Sequence, residues 1–549
     1  RDPAAIETAS AVMPNDPGSS DQWALESLDI YKAWGIAKSK EDVSASPKVS
    51  VAVVDTGCLV AHEDLVGNII PAAAYNSETK MVGIDNVQDS IGHGSHVAGI
   101  VSARANNGIG VAGTSYNAGL VIIKASKGET KDFDTLTLSE AYDWLLRTEN
   151  GQVKTNAQLY NVRVVNMSVG GKGTLAKDHM LYQRIADAKD AGILTVCAAG
   201  NAMAGATPPY ECIPGDCEDS LTVINLAHDE ANGTSANDSS GSYMVYRYSS
   251  SNYNTADGEN AHAKNISAPG TGIYSTGYRE DMPYRYDTGT SMASPAVAGV
   301  AALLFAYDPT LSATDVRSVL EQTATDLEEP GWDSTTGYGE ADAYKALQVL
   351  SARIETQSIA SGASLPVKLV AADGAELDPA EWTWSSSNPR VIAVDSDTGT
   401  ITAKASGFAN ITATYKGISA TLIAQNVNVT SIDLSSTEVE DISGVVYTGS
   451  PIEPKPRILF EGSLLYEGID YQLEYENNVG VGVASMKIVP AENGRVIGAK
   501  TIEFMIEPAD IATLQASIPD QIYTGDPVSP ETIDIRDAQG NVLAVDQDF

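Results

Sequence analysis

Five short, near-continuous apolar runs restrict this chain more than any other feature: Val49–Val54, Leu120–Ala125, Val162–Met167, Ile193–Ala198 and Leu221–Leu226. They are rich in Val and Ile and lack the polar alternation of a half-exposed strand. Strands covered on both faces read this way, as in a parallel sheet. Helix-like stretches separate them: Ser95–Ala103, Leu138–Arg147, His179–Ala191 and Ser291–Tyr307. Strand and helix in alternation predict a doubly wound α/β domain. The most apolar run, Val297–Phe305, is too short to span a bilayer.

The texture changes after about residue 350. Thr, Val, Ser and Gly dominate, and short alternating strands such as Thr400–Ala405 and Asn410–Tyr415 point to small all-β sandwich domains. Tyr447-Thr-Gly-Ser-Pro451 recurs as Tyr523-Thr-Gly-Asp-Pro527, Gly462-Ser-Leu-Leu465 as Gly540-Asn-Val-Leu543, and Asp470-Tyr471 as Asp548-Phe549. The expected organisation is an N-terminal extension (1–21), an α/β domain (22–350), a β-sandwich (353–428), one β-repeat (429–508) and a second, incomplete one (509–549). Because the second copy stops before the first copy's last strands, the natural chain is expected to continue past Phe549. The opening Arg-Asp-Pro-Ala-Ala fits a processed or trimmed N-terminus.

Lys and Arg number 34 against 72 Asp and Glu, a net charge of −38. Nucleic acid and anionic membranes repel such a surface, so neither is an expected partner. Cys212 and Cys217 flank the turn-forming Ile-Pro-Gly-Asp and are expected to form a disulfide, with free thiols or a metal clip as alternatives. Cys197, in an apolar strand, and Cys58 read as packing residues. The long polar interval 229–262 reads as a surface excursion.

Three motifs carry chemistry. In Val51-Ala-Val-Val-Asp55-Thr-Gly57 an Asp ends a buried strand, where open α/β sheets place their sites. In Gly92-His93-Gly-Ser-His96-Val-Ala-Gly99 glycines let the backbone close around an imidazole. In Gly289-Thr-Ser291-Met-Ala-Ser-Pro295 a serine opens an Ala-rich helix, with Pro295 in its first turn. Alone, each reads as a turn, structural or capping residue. Their order, Asp then His then Ser, is that of a nucleophile–base–orienter triad of one particular kind.

With these motifs residues 22–348 resemble the subtilisin-like (S8) serine peptidases. The resemblance implies Ser291 as nucleophile, His93 as general base and Asp55 as its orienter. Asn201, in Ala198-Ala199-Gly200-Asn201, would hold the oxyanion. Substrate would bind along Ser168, Val169 and Gly170, and along Ala199 and Gly200, with an opposite edge within 126–134. A structural Ca²⁺ is implied, held by Asp64, Asn107, Gln22 and the carbonyls of Ala105, Ile109 and Val111. One extra residue separates His93 from that loop relative to the usual pattern. His96 reads as a buried helix residue; His62, His179, His228 and His262 lie among surface-type residues.

The segment Trp382–Pro389 (WTWSSSNP), with Val391–Val394, Gly399–Ala403 and Gly407, resembles the bacterial group 2 immunoglobulin-like domain. The repeats resemble stalk modules of bacterial surface proteins. Together these imply a secreted or cell-surface bacterial endopeptidase acting on proteins or peptides, with broad apolar preference, no membrane insertion, and cell-wall attachment through the C-terminal modules. A second reading is a surface adhesion or stalk protein whose peptidase domain matures one dedicated partner.

Overall fold

The computed structural model describes residues 11–38, 48–149, 151–203, 205–228, 245–254, 263–460, 462–491, 496–510, 512, 514–530, 532–536, 540 and 542–543. Most of the polar interval 229–262, including His262, and the Asp548-Phe549 end of the second repeat lie outside them. The chain divides into two compact units, one of Arg1–Arg353, Val370–Leu377 and Thr414–Leu422, the other of Ile354–Leu369, Asp378–Ala413 and Ile423–Phe549.

The first unit is built on a nine-stranded sheet. Its strands are β1 (Ser50–Asp55), β2 (Tyr75–Asn76), β3 (Met81–Val82), β4 (Gly119–Lys124), β5 (Val162–Met167), β6 (Leu194–Ala198), β7 (Ser220–His228), β8 (Val245–Arg247) and β9 (Ile266–Pro269). The order is β8-β7-β6-β5-β1-β4-β2-β3, with β9 beside β7. The inner pairs are parallel, Asp55 facing Lys124 across β1 and β4. The antiparallel pairs are β2–β3 and β7–β8. Every residue of β1, β4, β6 and β7 is buried, which is why their sequences are so uniformly apolar.

Helices α1 (His93–Ser102), α2 (Thr135–Leu146), α3 (Met180–Asp190) and α4 (Thr290–Tyr307) follow the strands. By length and composition α4 could cross a membrane, yet 89% of its apolar window is buried in protein. A helix apolar on all sides is a core helix when the core surrounds it. Pro295 lies beyond the first turn of α4, a turn deeper than expected. Lacking an N–H, it cannot bond the carbonyl four residues back, which is that of Ser291. The Ser168 hydroxyl takes that carbonyl instead (2.8 Å).

A hairpin, β10 (Ile273–Arg279) with β11 (Met282–Asp287), packs on α1. Thr276 and Ser275 donate their hydroxyls to the Ser95 and His96 carbonyls.

The Cys212–Cys217 disulfide does not form; all four cysteines are free and buried. The two thiols enter different pockets. Cys217 joins Cys197 in the main core, whereas Cys212 packs with Ala206 and Tyr210. The turn between them is held otherwise: Asp216 accepts from the Cys212 N–H (3.0 Å) and from the buried Lys264 ammonium (2.8 Å).

The sandwich, most of it in the second unit, pairs a sheet of Ser358–Ala360, Ile423–Thr430, Gly407–Tyr415 and Trp382–Ser386 with one of Ser364–Pro366, Thr400–Ala403 and Ile392–Val394. Gly399 is required: its φ is +66° and a Cβ there would stand 2.6 Å from the buried Trp384 ring. The first repeat closes its own core around Leu434, Ile458, Met486, Ile488, Phe504 and Ile506, with Tyr447 against it. Tyr523, at the matching place in the second repeat, is 84% exposed.

Candidate active site

Asp55 ends β1 fully buried. Its Oδ1 accepts from the Thr56 N–H (2.7 Å) and bonds His93 Nδ1 (2.7 Å), while Oδ2 has no partner among the described residues. Burial pulls the His93 pKa down, but the charge and hydrogen bond of Asp55 outweigh it and His93 titrates above its ordinary value.

His93 opens α1 at a constrained bend. Gly92 has φ +91°, and a Cβ on it would meet the Tyr278 ring at 2.1 Å. Asp89, which the sequence reading overlooked, fixes this bend. Its Oδ1 accepts from Thr56 Oγ, Ile91 N and Gly92 N, and its Oδ2 from Ser95 N and Ser95 Oγ, all at 2.7–3.0 Å. Burial disfavours its charge, yet these bonds win and its pKa is lowered. One carboxylate thus ties the residue after Asp55 to the helix that carries His93.

Ser291 lies in the first turn of α4, and its hydroxyl donates to the Ser168 carbonyl (3.1 Å). Asn201 follows β6 and the left-handed Gly200 (φ +95°). Its Oδ1 accepts from the Thr290 N–H (3.0 Å), which fixes the amide plane and turns Nδ2 away from that bond. The Thr290 hydroxyl in turn accepts from the Gly200 N–H (3.1 Å).

These residues line one cleft of about 300 Å³. Ser168, Val169 and Gly170 form one border, and Ala198 and Gly200 another. Ala199 is buried and bonds β7 through Val223. Ser168 is itself buried, so its backbone, not its side chain, faces the cleft. Lys131 and Phe133, within the window 126–134, complete the lining with Asp287 and Thr288. The Lys131 charge lowers the His93 pKa and the Asp287 charge raises it.

The profile of the subtilase family (peptidase S8) matches residues 46–339. The chain belongs to the subtilase family. It is 30% identical over 339 residues to thermitase from Thermoactinomyces vulgaris, covering 61% of this chain and 99% of thermitase. It is 31% identical over 330 residues to a subtilisin from Bacillus sp. (strain TA39), covering 59% and 69%. An extracellular protease from Xanthomonas campestris is 30% identical over 354 residues, covering 58% and 54%. The profile of the bacterial Ig-like domain (group 2) matches residues 355–423. The chain is a subtilisin-like serine protease with an appended Ig-like domain.

Elsewhere in this subtilase, His96 is buried, its pKa pushed down to about 4 by burial, with Nε2 shared between the Ile273 and Arg285 carbonyls (3.1 Å each). His62 and His228 are buried as well, contrary to their polar sequence surroundings. His62 packs edge-on to Tyr284 and bonds the Pro283 carbonyl, and the His228 ring packs on Trp23. Cys58 is a fully buried thiol whose pKa burial raises far out of range, which suits packing.

The proposed calcium residues gather at one loop. Asp64 accepts from Asn107 Nδ2 (2.7 Å) and from the Val111 N–H (2.8 Å). Asn107 Oδ1 accepts from the Ile109 N–H, and Gln22 exchanges two hydrogen bonds with Ala112. Ala105 precedes this turn. Among the described residues no three His, Cys, Asp or Glu side chains cluster as metal ligands. The donors here are mainly carbonyls, each with a second lone pair. Burial, with the charges of Asp16 and Glu63, pushes the Asp64 pKa up to about 6. Both Asp64 oxygens accept from N–H groups, and among the described residues no cationic side chain pairs with this buried carboxylate, a charge that a cation such as Ca²⁺ would neutralise.

Proposed function

We propose that this subtilase is a secreted endopeptidase that hydrolyses peptide bonds through Asp55, His93 and Ser291. The observation that supports this most directly is the 2.7 Å bond from buried Asp55 to Nδ1 of His93, which lines the same cleft as Ser291 and Asn201. With Nδ1–H committed to Asp55, His93 presents Nε2 as the base. Rotation of the Ser291 hydroxyl from the Ser168 carbonyl would bring its proton to Nε2; such bonds often tighten only with substrate bound. Oγ attacks the scissile carbonyl, and the imidazolium, stabilised by Asp55, returns the proton to the leaving amine. Water then repeats the cycle on the acyl-enzyme. Asn201 Nδ2 and the Ser291 N–H would receive the oxyanion, Asn201 already oriented by Thr290.

Extended substrate would run along Ser168, Val169 and Gly170 on one side, with Ala199 and Gly200 behind the scissile residue. Asp64, Asn107, Gln22 and the carbonyls of Ala105, Ile109 and Val111 would hold a structural Ca²⁺, which would neutralise Asp64 and brace the loop. The extracellular relatives support secretion, and the Ig-like domain and repeats support attachment at the cell surface, where protein substrates are met.

The test is labelling with a fluorophosphonate probe. Wild type should label once, at Ser291, and Ser291→Ala should not label while losing on the order of 10⁶ in turnover. Retained hydrolysis in that variant overturns the assignment.

A further inference from the structure

The two glycines of the cleft look onto one sulfur. A Cβ on Gly170 would stand 2.9 Å from Cys212 Sγ, and a Cβ on Gly200 would stand 3.1 Å from the same atom and 2.4 Å from the Tyr210 hydroxyl. Gly170 belongs to the border beside Ser291, and Gly200 to the border before Asn201. On the peptidase reading, the side chain on the acyl side of the scissile bond enters between these borders. Cys212 and Tyr210 do not line the open cleft; they form a floor, filling the space behind the two glycines that a deeper pocket would need.

This floor is rigidly built. Cys212–Ile213 pairs antiparallel with Gly171–Lys172, which fastens it to the Gly170 border. The Tyr210 hydroxyl donates to the Asn201 carbonyl (2.8 Å), which fastens it to the other. Asn252 bonds the Ala199 carbonyl and both backbone groups of Tyr210. Cys212 and Tyr210 are buried, packed with Ala206. Withdrawal of the sulfur to admit a ring would break a strand pairing and leave buried polar groups unpaired.

We propose that Cys212 is a specificity-determining residue which makes the pocket shallow and restricts cleavage to bonds after small residues, namely Gly, Ala or Ser. The proposal rests on the peptidase reading above and narrows it, replacing the broad apolar preference expected from sequence. The mechanism is steric: a pocket discriminates by the volume it denies, at about 10–200-fold per methylene group.

The experiment uses the full chain and peptide p-nitroanilides identical except for Ala, Leu or Phe before the scissile bond. Wild type should favour Ala over Phe in kcat/KM by more than ~10-fold. Cys212→Gly, which removes the floor, should raise the Phe-to-Ala ratio by at least ~10-fold, and Cys212→Ala, which keeps a strand side chain, should raise it by a smaller factor. Each protein is first labelled with fluorophosphonate, so that a misfolded variant is recognised by its failure to label and the ratio is read from the other. Phe cleaved as fast as Ala by wild type overturns the proposal. So does an unchanged ratio in a variant that labels normally. A wild-type chain that neither labels nor cleaves any of the three overturns the peptidase reading, and this one with it.

Discussion

Glu340 should make this protein lose stability as the solution turns alkaline. The residue is buried, and its carboxyl accepts from the Ser27 hydroxyl (2.5 Å). Burial is the main cause that pushes its pKa from 4.5 up to about 8; the Ser27 bond opposes this, and the charges of Asp342 and Asp29 add to it. Between those pH values the folded state holds a proton that the unfolded chain has released. Stability therefore falls as pH rises from about 4.5 to 8 and levels off above. At 1.36 kcal/mol per pH unit, the interval from pH 6 to 8 alone carries about 3 kcal/mol. Asp342, raised by burial to about 6, acts in the same direction but mostly below that interval. Glu340→Gln keeps the shape and a hydrogen-bond acceptor and removes the titration. In a Ser291→Ala background, to prevent self-digestion, calorimetry from pH 5 to 9 should show the Glu340→Gln melting temperature falling less steeply. From pH 6 to 8 the gap should widen by about 6–12 °C, at about 2–4 °C per kcal/mol in large domains, and it should be small near pH 5. Parallel melting curves for the two proteins would refute the reasoning.

On the proposed role of His93 as general base, the imidazole must be neutral to act and its pKa sets the acid limb of kcat/KM. Lys131→Met should move that limb to higher pH and Asp287→Asn to lower pH, since these charges push His93 in opposite directions; pH–rate profiles that stay superimposed would remove both from the site. Asp89→Asn should turn an amide toward donors that need an acceptor, costing about 1–3 kcal/mol for each donor left unpaired. Misplacement of His93 should also lower kcat by roughly 10²-fold; wild-type kcat with only a lower melting temperature would mean Asp89 merely stabilises. Chelation should lower the melting temperature by the mass-action term, about 2.7 kcal/mol at 100-fold over Kd. Asp64→Asn should lose that sensitivity, and a chelator-insensitive wild type shown to be metal-free would count against the calcium site.

The central strands were legible because burial on both faces leaves an uninterrupted apolar signal. Val162–Met167 was placed to the residue, and β1, β4 and β6 to within one. The hairpin β10–β11 gave no such signal: Gly277 and Pro283 interrupt its alternation, and it packs through hydroxyls donated to carbonyls of α1. Asp89 sits in a polar stretch without periodicity, although an Asp a few residues before a helix start is itself a capping signal. The residues Ile213–Asp216 correctly suggested a turn, but closeness along the chain does not tell into which core each flanking thiol packs. Pro295 was expected in the first turn of its helix, where proline is tolerated, and lies deeper; that its missing N–H frees the Ser291 carbonyl for Ser168 depends on contacts 123 residues apart.

Ser168 also has a kinetic meaning. Its hydroxyl receives the Asn166 amide, contacts Ser294 Oγ and donates to the Ser291 carbonyl, so the Ser291 backbone is fixed only once α4 has docked against the end of β5. Asp55, His93 and Ser291 belong to segments widely separated in the chain, and α4 leaves the ribosome after the segments that carry Asp55 and His93. Pairings of such sequence separation form late and slowly in folding. A partly synthesised or collapsed chain would therefore hold the Asp and the His without a seated serine. On the proposed peptidase reading, this order of assembly withholds the complete Asp–His–Ser set until α4 docks.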